Sequence, residues 1–188
     1  MAEEEKELDD IILKWPIRRF FNDGRFNDLD DEVIDEYRLK IYLDGEEFLE
    51  TVVLPSLLEE FVLGFFVTRG LVGGPEDISS LEISEGVAKV RRIPALQGRL
   101  PELKLLESTG SRNINPGDVS RSASESPGAE LRVPAAFIIE QLKKFAGMPI
   151  FERTGATHCA ILFTKDEAPV ISAEDLGRHN AVDKVIGG

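Results

Sequence analysis

The strongest constraint on the fold is an alternation that begins at Tyr37. Apolar residues recur at every second position, Tyr37, Leu39, Ile41 and Leu43, and the run ends in Asp44-Gly45. A period of two buries one face of a strand, and Asp-Gly suits the two-residue turn of a hairpin. A partner strand is expected over about Phe48 to Leu54. Pro55-Ser56-Leu57-Leu58-Glu59 then places Ser56 and Glu59 three apart, the spacing of a capping box. The helix it opens should run to Thr68 or Arg69 and stop at Gly70. Leu81 to Ile83 and Val87 to Val90, split by Ser84-Glu85-Gly86, read as a second hairpin.

Farther on, Glu107 to Glu130 holds six serines, three glycines and two prolines, and no aromatic residue. Such a stretch buries little and reads as a flexible central loop. Pro134 suits the first turn of a helix whose apolar residues Phe137, Ile138, Ile139, Leu142 and Phe145 form one broad face, ending at Gly147. Cys159 to Thr164 is a buried-type strand, Lys165 to Ala168 a turn, and Pro169 to Ser172 a second strand. The chain thus divides into an acidic, partly disordered extension (1–36), an N-terminal α+β part (37–106), the loop (107–130) and a C-terminal part (131–188).

Charge and composition narrow the function classes. The chain of 188 residues carries a formal charge of −13, and residues 1–36 hold 13 acids against 5 bases. An acidic chain is a poor nonspecific ligand for nucleic acid, because phosphate neutralisation needs a basic surface. No apolar run approaches the 18 or so residues of a membrane span. The start, Met1-Ala-Glu-Glu-Glu, has neither the basic region nor the apolar core of a secretory signal, so a cytoplasmic, soluble protein is expected. The single cysteine, Cys159, precludes an internal disulfide framework and a multi-thiolate metal site. It opens an apolar run, where a small buried hydrophobe is its ordinary role.

Candidate chemistry concentrates in two short polar segments that hold both histidines of the chain. The first is Thr154-Gly155-Ala156-Thr157-His158-Cys159. The second runs Glu174-Asp175-Leu176-Gly177-Arg178-His179-Asn180-Ala181-Val182-Asp183-Lys184. A helix beginning near Gly177 offers free N–H groups and a partial positive charge to an anion, with Arg178 adding fixed charge. Val182, Val185 and Ile186 should share its buried face, and His179 and Asp183, four apart, another. Each residue also has a plain structural reading. On that reading Asp175 caps the helix, Asp183 forms a surface pair beside a solvated Lys184, and His158 is a half-buried, satisfied histidine.

These two segments resemble the FdhD family, whose members carry a T-G-x-x-H-x-A turn and an E-D-[VI]-G-R-H-[NV]-A-[VL]-D-K motif. Leu63-Gly64-Phe65-Phe66-Val67-Thr68-Arg69-Gly70-Leu71-Val72 is similar to the family's L-G-F-L-x-[TS]-E-G-[IL]-[IV]. The resemblance spans about Tyr37 to Gly188. It implies a layered α/β fold of the cytidine-deaminase-like type with a smaller N-terminal α+β part, usually as a homodimer. It also implies an accessory protein that takes sulfur from a cysteine desulfurase and passes it to the molybdenum bis(guanine dinucleotide) cofactor of formate dehydrogenase. Thr154, Gly155, His158, Glu174, Asp175, Gly177, Arg178, His179, Asp183 and Lys184 are then expected to bind that cofactor or a guanine nucleotide. The family's sulfur carrier is a C-x-x-C pair in the central loop, and here those positions hold Ser111 and Ile114. A hydroxyl or an alkyl group cannot carry a persulfide. A cofactor-binding chaperone that carries no sulfur is therefore the alternative. A zinc deaminase ranks last, since its P-C-x-x-C pair does not occur, and no zinc is expected.

Overall fold

The computed structural model describes residues 11–97, 132–145 and 147–188. The central-loop reading, with Ser111 and Ile114, lies outside the described residues. Strands β1 (Ile12–Phe20) and β2 (Phe26–Ile34) form an antiparallel ribbon in register from Ile12↔Ile34 to Phe20↔Phe26. This corrects the reading of the acidic head over these residues. Its apolar side chains, interleaved among the acids, give both strands enough β character to pair, and Arg18 neutralises Asp28 across them at 2.6 Å.

The alternating segment folds as its pattern requires. Strand β3 (Tyr37–Leu43) pairs with β4 (Glu46–Val53) through a turn in which Asp44 (φ 53°) and Gly45 (φ 95°) are both left-handed. Helix α1 (Leu58–Thr68) crosses over to β5 (Ile78–Ser84) and β6 (Val87–Arg92). The sheet order is β4-β3-β6-β5, with β3 and β6 parallel. Leu39, Ile41 and Val90 from the sheet and Phe61, Val62 and Phe66 from α1 form the main core.

The capping box at the start of α1 does not form. Leu57, in the left-handed region at φ 52°, is the N-cap, and no side chain caps the helix. The Leu57 carbonyl accepts the Phe61 N–H at 2.9 Å, while the Ser56 hydroxyl lies 3.5 Å from Lys184 Nζ. A distant cation has taken the place of the local partner.

The rest comprises α2 (Ala135–Phe145), α3 (Pro149–Thr154), the antiparallel pair β7 (His158–Phe163) and β8 (Pro169–Asp175), and α4 (Arg178–Gly187). Helix α4 crosses α1 with almost no space between backbones. A Cβ on Gly64 would strike the Asp183 carbonyl, and one on Gly187 would strike the Glu60 carbonyl. That crossing turns Ala181, Asp183, Lys184 and Val185 inward. Val182 and Ile186, expected inside, are 48% and 44% exposed. On α2 the expected apolar face is only partly covered: Phe137 meets the Phe163 ring edge-on at 5.3 Å, while Ile138, Ile139 and Leu142 are all more than half exposed.

Candidate functional site

Antiparallel pairing sets His158 opposite Asp175, so the Thr154–His158 turn and the Glu174–Lys184 segment meet at one end of the β7–β8 sheet. Most of the polar side chains gathered there face inward. Glu174 is buried, and its carboxylate accepts the N–H groups of Ile150 (3.0 Å) and Phe151 (2.7 Å) and the Thr157 hydroxyl (2.8 Å). It supplies acceptors to the open N-terminus of α3, whose own N-cap, Met148, has none. The helix ends in Gly155 at φ 64°, a left-handed cap whose N–H reaches the Phe151 carbonyl at 2.8 Å. Thr154 turns its hydroxyl back to the Ile150 carbonyl at 2.8 Å.

Asp175 and Lys184 are both fully buried and pair at 2.8 Å. One Asp175 oxygen accepts the Gly177 N–H and the Asn180 amide, each at 2.9 Å, so it fixes the entry to α4 without capping it, the N-cap being Gly177 with no side-chain cap. The other accepts the Leu54 N–H at 3.1 Å. Lys184 donates to the carbonyls of Leu54 (3.2 Å) and Glu174 (3.1 Å), and Asn180 donates to Val52 at 3.1 Å. Burial pulls the Lys184 ammonium below the usual lysine range, against the opposing pull of Asp175. The reading of Lys184 as solvated is corrected: it clamps the end of β4 to the C-terminal sheet.

Asp183 is also buried, which corrects its reading as one of a surface pair. It accepts the Thr68 hydroxyl at 2.7 Å and Arg69 Nη1 at 2.9 Å, with the Arg69 guanidinium 3.6 Å over the Phe65 ring. Burial raises its pKa despite Arg69 and Thr68. Cys159 lies half-buried with Sγ 3.9 Å from a Glu174 oxygen. Burial first, and then the Glu174 charge, push the thiol up to about 11.

His158, Arg178 and His179 remain exposed, and among the described residues none of their side chains makes a hydrogen bond. Arg178 and His179 open α4, beside Gly177, whose N-cap position carries no side-chain cap. A cation and imidazoles at an uncapped helix start suit an anionic group. Thr157, Asn180, Thr68 and Arg69 were not singled out from sequence. Asn180 had a signal in its place within the second motif, whereas Thr68 and Arg69 join the site only through the α1–α4 crossing.

Residues 34–188 match the model of the FdhD/NarQ family. The chain belongs to that family. It is 34% identical to the sulfur carrier protein FdhD of Anaeromyxobacter dehalogenans (strain 2CP-C), over 84% of this chain and 60% of the relative. It is 32% identical to the sulfur carrier protein FdhD of Listeria monocytogenes (strain EGD-e), over 95% of this chain and 70% of the relative. The crystal structure of a candidate formate dehydrogenase accessory protein from Desulfotalea psychrophila is similar in fold, with a TM-score of 0.65 at 23% identity, over 94% of this chain and 66% of that one. The chain therefore spans 60% to 70% of the length of these relatives. No helix among the described residues is long and apolar enough to cross a membrane.

Proposed function

We infer that this FdhD-family chain serves formate dehydrogenase maturation by binding the guanine nucleotide end of the molybdenum bis(guanine dinucleotide) cofactor. Arg178, His179 and His158 hold its anionic groups, and the amides at the start of α4 assist. One observation carries the reading. Glu174, Asp175, Asp183 and Lys184 are engaged inside the protein, while Arg178, His179 and His158 point outward at the same sheet end. The internal network positions the outward groups, with Gly155 and Gly177 shaping the two turns and Thr154 fastening the first.

The chaperone alternative has a specific argument in its favour. The chain's one thiol, on Cys159, is held near a pKa of 11 beside a carboxylate, and a protonated thiol is a poor sulfur acceptor. The family reading further includes formate dehydrogenase and a cysteine desulfurase as partners, a homodimer, a cytoplasmic location and cytidine-deaminase-like layering of the complete protein.

Calorimetric titration of GDP tests the nucleotide site. Arg178→Ala should weaken binding by about 1–3 kcal/mol, the scale of one charge-assisted hydrogen bond, and His179→Ala by less. Their melting curves should stay close to wild type. Unchanged GDP affinity in Arg178→Ala would refute the assignment.

A further inference from the structure

Helices α1 and α4 run antiparallel where they cross. Gly64 sits against Asp183 and Glu60 against Gly187, so the C-terminal end of α1 comes to the start of α4. Arg69, the C-cap of α1, therefore lies against the turn of α4 that opens with Arg178 and His179. It bonds Asp183 at 2.9 Å, and His179, four residues before Asp183, shares that face of α4. The Arg69 guanidinium uses its donors unevenly. Nη1 alone serves the Phe65 carbonyl (3.2 Å), the Thr68 hydroxyl (2.9 Å) and the Asp183 carboxylate (2.9 Å). Nε is buried with no partner, and among the described residues Nη2 has none either. Together they form the side-on edge of the fork, which matches two oxygens of a carboxylate or phosphate. Burying a donor without an acceptor costs free energy, so such an orphan calls for a missing partner. The group is held in place for one: it lies 3.6 Å over the Phe65 ring, and its side chain keeps 17% of its surface open to solvent.

We propose that Arg69 is a further ligand contact, through which the site selects two linked phosphates over one. The inference rests on the nucleotide reading above and adds to it a residue from a second helix. Arg178 and His179 hold one phosphate at the start of α4. The second, directed toward the end of α1, meets the Nε–Nη2 edge of Arg69. Without that guanidinium the place would repel an anion, because a helix C-terminus carries partial negative charge and the Asp183 carboxyl lies beside it. Asp183 is then a positioning residue: by engaging Nη1 it fixes the guanidinium and leaves the other edge free. A nucleoside diphosphate fits both contacts, whereas a monophosphate reaches only the first. A pair that served only to neutralise Asp183 needs the charge of Arg69 and not the fork, and the two roles part on that point.

Calorimetric titration of GDP and of GMP into the 188-residue chain tests this, with melting curves for each protein. Wild type should bind GDP about tenfold or more tightly than GMP, the scale of one charge-assisted hydrogen bond. Arg69→Lys keeps a positive charge beside Asp183 but lacks the planar fork. A double variant, Arg69→Met with Asp183→Asn, removes both charges together, so that no buried carboxylate is left unpaired. Each should lose about tenfold in GDP affinity and less than about twofold in GMP affinity, which abolishes the preference. Arg178→Ala should weaken both nucleotides alike. Equal binding of GDP and GMP by wild type, or a preference for GDP that survives in Arg69→Lys or in the double variant, would overturn the assignment of Arg69 and leave the Arg178 site standing. A lower melting midpoint in Arg69→Lys with the preference intact would show a purely structural pair. No GDP binding by wild type would overturn both readings.

Discussion

The four-stranded sheet and the two-stranded β7–β8 sheet are stabilised by different physics. Around β3 and β6, aliphatic residues pack on Phe61, Phe65 and Phe66, which also meet in edge-on and tilted ring contacts with one another and with Phe48. Around β7 and β8 the buried apolar residues are Ala160, Ala173, Ala181 and Val185, too small to supply comparable burial. Here the buried Asp175–Lys184 pair, the Asp183–Arg69 pair and the Glu174 carboxylate tie the sheet to α1, α3 and the end of β4. An apolar core tolerates changes of shape by repacking, whereas a buried charge network fails when one partner is removed. The motif is thus mainly a polar clamp, and its outward residues are the small remainder available for a ligand.

The comparison breaks most sharply at Lys184. Lys184→Met removes one partner of the fully buried pair and should destabilise the protein by about 3–5 kcal/mol in urea unfolding. A loss under 1 kcal/mol would mean that the clamp is dispensable. Gly64→Ala tests the crossing that carries the network, since the added carbon meets the Asp183 carbonyl; a cost of about 1–3 kcal/mol is expected from overpacking. An unchanged melting midpoint would show that the helices separate freely.

A smaller effect should appear with pH. Burial raises the folded pKa of Asp183 above the unfolded value of about 3.9. Its contribution is therefore fully present below that unfolded value and is lost as pH rises through the folded one. Relative to Asp183→Asn, the protein should lose stability as pH rises above about 4, the unfolded value, and through the raised folded one. Both proteins are best compared in a His179→Gln background, because the charge of His179 acts on Asp183. The opposite slope would mean that Arg69 and Thr68 outweigh burial. Smallest of all, Arg178→Ala should move stability by no more than about 0.5 kcal/mol, as for an exposed side chain without partners. A larger loss would place Arg178 in the clamp.

Much was legible before folding because it depends on near neighbours. Strand β3 occupies Tyr37–Leu43 as its alternation requires, Asp44-Gly45 makes the turn, and α1 ends before the left-handed Gly70. Both motif segments were found by their residues, and β7–β8 pairing brings them to one edge. The direction in which each polar side chain faces was not legible. Lys184 read as solvated because four methylenes and an ammonium favour water, and only Asp175 together with two carbonyls from separate segments makes its burial tolerable. The acidic head read as an extension because its charges dominate composition, although Ile12 and Ile34 pack on Leu54 and Ile150.

Local pattern settled where strands, turns and helices begin, because a period of two or a left-handed turn is decided by steric and solvation forces within a few residues. Tertiary structure decided which members of one eleven-residue motif hold the molecule together and which stay exposed at its surface. Contacts such as Asn180 to Val52, 128 residues apart, exist only once the sheets and helices have come together. Whether a buried charge is tolerable depends on those distant partners, and no local pattern encodes them.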